Sequence, residues 1–223
     1  MKTRLMLQAL TKFTMGILMI GLLLFLPAGT LGYWNAWLFT GLLFGPMFLL
    51  GILLLLKAPE LLAKRLQSKE KEEEQKLVVL GSLLIFVGGF VVAALDFRFQ
   101  WTRLPNIVVI IASVVLLVSY GLYAEVMREN AYLSRTVEVQ ENQKVIDTGL
   151  YGIVRHPMYF ATTLLFLSIP LVLGSGIAFA IFLPYPFLLV KRIRNEEEVL
   201  EKGLEGYTEY KKKVKYRMIP FLW

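Results

Sequence analysis

The sequence predicts an all-α protein: a polytopic membrane bundle of about six transmembrane helices, ending in a helical hairpin and a tail. Three observations carry that expectation. Of 223 residues, 57% are hydrophobic and the mean hydropathy is +0.60, more apolar side chain than a soluble domain has use for. Several runs reach or approach the ~20 apolar residues that a bilayer-spanning helix needs. The charged residues cluster between those runs instead of being spread through them.

In order, the spans are expected at about 13–28, 34–56, 77–95, 106–126, 158–173 and 177–193. Lys2, Arg4 and Lys12 precede or open the first. Ala28, Gly29 and Thr30 are small enough to end a cleaved signal peptide, but further spans follow at once, so an uncleaved first helix is expected. Tyr33, Trp34 and Trp37 open the second at an aromatic interface. Between spans two and three, Pro59–Leu66 places Leu62 and Leu66 one helical turn apart with Lys64 and Arg65 elsewhere on the wheel, which predicts an amphipathic interfacial helix near 58–68. The charge run Lys69–Lys76 reads as a solvated loop. Thr136–Gln140 alternates and reads as a short extended piece, and Asp147-Thr148-Gly149 as a turn. Gly174-Ser175-Gly176 is a tight reversal that makes spans five and six antiparallel neighbours. The chain therefore divides into an N-terminal transmembrane part, 1–128, and a C-terminal part, 129–223, that carries the polar motifs.

Loop 57–76 carries Lys57, Lys64, Arg65, Lys69, Lys71 and Lys76, segment 127–157 carries four basic residues, and the tail is rich in Lys and Arg. The loops at 29–33 and 174–176 carry none, and 96–105 only Arg98 and Arg103. Basic residues favour the cytoplasmic side, so both termini and every polar motif are expected there. The net charge of +7 is explained by anionic lipid and needs no nucleic acid. The absence of cysteine removes thiol nucleophiles and cysteine metal sites, and a single histidine makes a zinc site implausible. No metal is expected.

Two ionisable clusters flank the last apolar hairpin: Arg155-His156 before Pro157, and Arg192 through Glu198. Ionisable groups at membrane depth are costly and usually functional. Pro157 suits the first position of a helix, whose free N–H groups attract an anion. The structural alternative is that Arg155 snorkels to lipid phosphates and His156 caps the helix. Arg192 and Glu196 are four apart and share a helix face; here the alternative is a solvated helix end with local ion pairs. The glycine turn brings both clusters to one mouth, where Tyr151, Tyr159, Tyr207 and Tyr210 are candidate aromatic walls. That mix of donors, acceptors and rings suits a zwitterionic ligand with an aromatic base.

Three pieces occur in order: Gly149-Leu-Tyr151-x3-Arg155-His156-Pro157-x-Tyr159, then Arg192-x3-Glu196-Glu197-x2-Leu200, then Tyr207-x2-Tyr210-x3-Val214-x2-Arg217-x-Ile219-Pro220. Together they resemble the isoprenylcysteine carboxyl methyltransferase family, including its bacterial members and the related phospholipid methyltransferases, over about residues 135–223. The resemblance implies an integral membrane enzyme that methylates a lipidic or membrane-partitioning acceptor from S-adenosylmethionine, with carboxylate O-methylation favoured over amine N-methylation. No Gly-x-Gly-x-x-Gly of a Rossmann domain is present. It also implies that Tyr151, His156, Pro157 and Tyr159 line the cofactor pocket and that Val145 and Ile146 contribute backbone contacts. Glu196 would hold the cofactor, plausibly by its amino group, beside Glu197, and Arg192 would engage the acceptor's carboxylate. Arg192, His156 and Arg155 are the candidate catalytic residues. Ala161 stands where the family often has glycine, and Gly203-Leu-Glu-Gly206 replaces the usual Phe-Gly pair before Tyr207; both departures touch packing more than chemistry. Two other functions compete: a membrane NADPH-dependent reductase of sterol-reductase-like architecture, whose motif favours Arg-His-x-Asn-Tyr over the Pro157-Met158 form, and a non-enzymatic membrane scaffold.

Overall fold

The computed structural model describes residues 2–66, 73–134 and 137–223, and among them the regular structure is helical, with no strand. The elements are α1 (Lys2–Ala28), α2 (Trp34–Lys57), α3 (Pro59–Leu66), α4 (Glu73–Phe99), α5 (Asn106–Glu129), α6 (Pro157–Val172), α7 (Gly176–Phe182), α8 (Tyr185–Gly203) and α9 (Tyr207–Lys213). A 3-10 turn at Gly149–Gly152 precedes α6.

Among the described residues, five stretches are long and apolar enough to cross a bilayer: Thr3–Ala28, Trp34–Lys57, Val78–Phe99, Asn106–Glu129 and Gly176–Gly203. The polytopic bundle is as expected, with differences in its C-terminal part. The fifth expected span, α6, has 16 residues, about 24 Å at 1.5 Å per residue, short of the ~30 Å hydrocarbon core. It is an inner helix: Tyr159, Ala161, Leu165, Ser168, Ile169 and Val172 are buried, chiefly against α5. The sixth expected span is two helices, because the chain turns at Leu183-Pro184 before Tyr185 opens α8. Helix α8 then runs on to Gly203 and carries the Arg192–Glu198 cluster out on an ordered helix.

Two expectations for the connecting segments also change. Of the run read as a solvated loop, Glu73–Lys76 belongs to α4, and residues 69–72 lie outside the described residues. Residues 137–140 are irregular, not extended in a strand, and Thr136 lies outside the described residues. A short helix stands where the amphipathic segment was expected, α3, with its Leu61 and Leu62 buried.

Lipid supplies no hydrophobic drive between helices, so packing shape and internal hydrogen bonds decide the arrangement. Phe86 meets Phe166 and Phe182 edge-on at 4.7 and 5.2 Å. Gly89 admits Phe182 to α4, because a Cβ there would stand 2.2 Å from the ring. The α6–α7 reversal is pinned at the end of the bundle away from the polar motifs. Ser175 caps α7 by accepting from Ala178 N–H at 3.0 Å. Tyr33 Oη donates to the Leu173 carbonyl at 2.6 Å and Asn35 Nδ2 to that of Val172 at 2.9 Å. Asp96, 1% exposed, accepts from Thr102 N–H at 2.6 Å and from the Thr102 and Ser175 hydroxyls. A buried carboxylate held by three donors is tolerable where a bare one is not.

Candidate cofactor pocket at the mouth of the C-terminal hairpin

With the reversal fixed at one end, the start of α6 and the outgoing half of α8 meet at the other. The residue that joins them is Glu197, whose side chain is 3% exposed. It accepts from Arg155 Nε at 2.7 Å and from Arg217 Nε at 2.8 Å, and His156 Nε2 lies 3.3 Å away. Arg155 Nη2 adds a second contact at 2.7 Å. The remaining Arg155 donors reach into the tail, where Nη1 meets the Val214 and Lys215 carbonyls at 2.6 and 2.9 Å. The backbone is laced to match: Arg155 N–H donates to Tyr216 O at 2.9 Å and His156 N–H to Arg217 O at 2.7 Å. Glu197 thus ties α6, α8 and the C-terminal tail into one unit.

The sequence placed Pro157 first in α6, and it stands there. His156 occupies the N-cap position, but its side chain makes no capping bond; the ring is committed towards Glu197. Capping is therefore not its role.

Above this knot lies an open cavity that mixes polar and aromatic side chains. The segment before α6 contributes Val145, Ile146 and Tyr151 to its lining; the α6 start contributes Arg155, His156 and Tyr159; α8 contributes Arg192 and Glu196. Tyr207 and Tyr210 complete the aromatic wall. Of the residues expected to bind a cofactor, Pro157 and Glu197 are the two that do not line the cavity. Glu197 faces the opposite way, into the ion cluster.

Within the cavity Tyr159 is a relay: its hydroxyl donates to Glu196 Oε2 at 2.5 Å and accepts from Arg192 Nε at 3.0 Å. The two α8 side chains are therefore oriented by one phenol.

The segment 143–152 is held from two sides. Glu129, near the end of α5, accepts from Leu150 N–H at 3.0 Å, and Asn130 Nδ2 donates to Tyr151 Oη at 3.0 Å. Gly149 has φ +53°, and a Cβ there would fall 1.4 Å from Glu129 Oε1. From α9, Tyr210 Oη donates to Tyr151 O at 2.8 Å and Lys213 to Asp147 at 2.7 Å. The Lys213 hydrogen bond and charge hold the Asp147 carboxyl below the usual carboxylate range. Burial first, then the Glu197 and Glu196 charges, push the Tyr207 phenol well above its ordinary value, so it remains neutral.

Sequence reading did not find the contribution of 130–144, which adds Asn130, Glu138, Gln143 and Lys144 to the lining. Nor did it assign a role to Arg217, although that residue stood in the third motif. Val199 and Leu200 also line the cavity; their spacing from Glu196, three and four residues along the same helix face, was the available signal.

Residues 111–202 match the family model of the isoprenylcysteine carboxyl methyltransferase family. The match covers about two fifths of this chain. The match spans most of α5, the segment that shapes the cavity, α6, α7 and nearly all of α8, and so includes both ionisable clusters. Among curated proteins, the chain is similar to the Delta(14)-sterol reductase of Mus musculus, 32% identical over 91 residues, which is 40% of this chain and 22% of the relative. It is likewise similar to the Delta(14)-sterol reductase of Methylotuvimicrobium alcaliphilum, 27% identical over 93 residues, with the same shares covered. The matched region thus spans about a fifth of the length of either reductase.

Proposed function

We propose that this protein is an integral membrane methyltransferase that transfers the methyl group of S-adenosylmethionine to a lipidic acceptor, with a carboxylate favoured. The observation that carries the reading is the pairing of Glu196 and Arg192 through Tyr159 on the wall of an aromatic-lined cavity, in the region that matches the family. The donor set fits the cofactor: the Glu196 side chain for an ammonium, tyrosine faces for a cationic sulfonium and an adenine, and the Val145–Ile146 backbone along one edge.

S-adenosylmethionine, held by Glu196 and the tyrosine walls, would supply an electrophilic methyl and a sulfonium leaving group for an acceptor oxygen. The protein's own part is alignment. Glu196 holds the ammonium end. Arg192 offers a charged donor to an acceptor carboxylate and keeps it beside the cavity. Tyr159 fixes the separation of the two. Arg155, His156 and Glu197 support them from beneath: Arg155 is spent on Glu197 and the tail, and the His156 nitrogen facing Glu197 is engaged there. With Glu196 turned to the Tyr159 hydroxyl and His156 Nε2 to Glu197, the arrangement suits an acceptor already ionised at neutral pH over an amine that must lose a proton. The charge bias of the loops supports a cytoplasmic cavity.

A second reading is favoured by the similarity to the two sterol reductases: a nicotinamide-dependent reductase using the same pocket. Calorimetry on the purified full-length protein separates them, with S-adenosylhomocysteine and NADPH titrated in separate runs. Binding of S-adenosylhomocysteine, lost in Glu196→Gln, supports the methyltransferase. Binding of NADPH with no response to S-adenosylhomocysteine overturns it.

A further inference from the structure

Five tyrosines line the cavity, and the hydroxyls of four are bonded within the fold. Tyr132 Oη donates to the Asn142 carbonyl at 3.0 Å, and Tyr151 Oη accepts from Asn130 at 3.0 Å. Tyr159 Oη bridges Glu196 and Arg192, and Tyr210 Oη donates to the Tyr151 carbonyl at 2.8 Å. Tyr207 differs. The residue is 4% exposed, yet its hydroxyl has no hydrogen-bond partner among the described residues. Asn195 Nδ2 shares that condition, but Asn195 does not line the cavity. A buried hydroxyl without a partner is destabilising. Phenylalanine fills the same space without that penalty, so the hydroxyl has no use in the fold itself. Its place on the cavity lining gives it one in a ligand.

The surroundings of the ring select the part of the ligand. Gly206, at φ +81°, turns the chain from α8 into α9, and Tyr207 opens α9 with its N–H on the Leu204 carbonyl at 3.2 Å. The charges that bear most on the phenol are those of Glu197, Glu196 and Arg155. The hydroxyl therefore belongs to the end of the cavity from which Glu196 projects. Burial and the two carboxylates keep it protonated, so it is a donor and suits an anion.

S-adenosylmethionine carries an ammonium and a carboxylate on one carbon. A pocket that holds the ammonium on Glu196 brings the carboxylate beside the same glutamate, where a donor is needed to offset the repulsion. The side chains around that point are committed elsewhere. Tyr159 donates to Glu196, Arg155 serves Glu197 and the tail carbonyls, and His156 Nε2 faces Glu197. We propose that Tyr207 is a specificity residue for the cofactor: its hydroxyl donates a hydrogen bond to the carboxylate at the amino-acid end of S-adenosylmethionine, beside the ammonium on Glu196. This assignment rests on the methyltransferase reading. Two side chains, one from α8 and one from α9, then read the two charges of one zwitterion, and the pocket distinguishes the cofactor from its decarboxylated form.

The test is calorimetry on the full-length protein in detergent with two probes. One is S-adenosylhomocysteine; the other is its decarboxylated analogue, in which hydrogen replaces the carboxylate, measured by displacement of S-adenosylhomocysteine where direct titration is too weak. The unaltered protein, Tyr207→Phe and Glu196→Gln are compared, and the melting temperature of each is taken without ligand. Tyr207→Phe should weaken S-adenosylhomocysteine roughly tenfold or more, the worth of one hydrogen bond to a charged group, and change the affinity for the analogue by no more than about twofold. Its ligand-free melting temperature should stand at or above that of the unaltered protein. Glu196→Gln should weaken both probes, since both keep the ammonium. Unchanged affinity of Tyr207→Phe for S-adenosylhomocysteine overturns the assignment. Equal weakening of both probes also does, because the hydroxyl then serves another part of the cofactor. So does a lower melting temperature in Tyr207→Phe, which marks a hydroxyl bonded within the fold. Each of these leaves the methyltransferase reading standing; that reading fails separately, and takes the assignment with it, if the unaltered protein does not bind S-adenosylhomocysteine.

Discussion

Glu196 and Glu197 are adjacent, chemically identical and predicted to fail in opposite ways when neutralised. Glu197→Gln keeps the shape and removes the charge from a site where Arg155 and His156 are each 4% exposed at the side chain. Arg155 then remains buried, bonded to two tail carbonyls but without its counter-ion. Breaking a buried pair from one side costs about 3–5 kcal/mol, and Arg217, more exposed at 29%, recovers little of it. At about 2–4 °C per kcal/mol for a chain of this size, the melting temperature should fall by roughly 6–20 °C. Glu196→Gln removes a charge at the cavity wall, where Tyr159 still donates to the amide oxygen, so the melting temperature should move by no more than about 2 °C. Its cost appears in the ligand: loss of a charge-assisted contact of about 1.5–3 kcal/mol weakens S-adenosylhomocysteine by roughly 10- to 150-fold. The assay is thermal unfolding in detergent, followed by tryptophan fluorescence, paired with calorimetry on each variant. A Glu197→Gln protein that melts like the parent yet fails to bind ligand would refute the division of labour and return Glu197 to the cofactor site.

Four further outcomes follow from the same geometry. Gly149→Ala forces a Cβ onto Glu129 at positive φ, so it should cost about 1–3 kcal/mol in unfolding and weaken S-adenosylhomocysteine by displacing Val145 and Ile146; full affinity would free the segment from any part in the site. Arg192→Ala should raise the KM of a carboxylate acceptor by roughly tenfold or more while changing the S-adenosylhomocysteine Kd about threefold at most, and equal changes would deny it a specific role towards the acceptor. Tyr207 Oη is buried with no hydrogen-bond partner among the described residues, so Tyr207→Phe should raise the melting temperature by about 2–4 °C, the worth of roughly 1 kcal/mol; a fall would show that the hydroxyl is bonded. The lowered Asp147 carboxyl stabilises the fold at pH above its unfolded value, near 4, and that contribution disappears as pH falls through the lower folded value. Asp147→Asn should therefore flatten the acid limb of the melting-temperature profile, and an unchanged limb would remove the Lys213 contact from the account.

The legible parts of the sequence were those governed by local periodicity and by turns. Apolar runs gave the long helices, Pro157 gave the start of α6, and Gly174-Ser175-Gly176 gave the reversal that brings the two clusters together. The break at Leu183-Pro184 was less legible, since the flanking residues are apolar on both sides and hydropathy cannot tell one continuous span from two helices. The stretch 147–151 was legible as a turn but not in its placement, which is set by partners far away in sequence, Glu129 on α5 and Tyr210 and Lys213 on α9.

The roles within the run Glu196-Glu197-Glu198 were open to a closer reading of the helix. Leu189 and Ile193 are buried at a spacing of four, and one further step of four reaches Glu197, which is also buried. A carboxylate that continues a buried apolar stripe must find cations inside the fold. The chain offers them in Arg155, from the motif before α6, and Arg217, from the tail motif. Arg192, Glu196, Val199 and Leu200 form the neighbouring stripe and face the cavity, while Glu198 turns outward to an exposed position. At 3.6 residues per turn, successive residues are rotated by about 100°, so three consecutive glutamates look in three directions. The third motif then has a physical meaning. The tail supplies Arg217 and the Val214 and Lys215 carbonyls that complete the burial of Arg155 and Glu197. That buried pair sets the helix from which Arg192 and Glu196 project. Disturbing the tail should therefore act on the pocket through the orientation of α8, at a distance from any ligand.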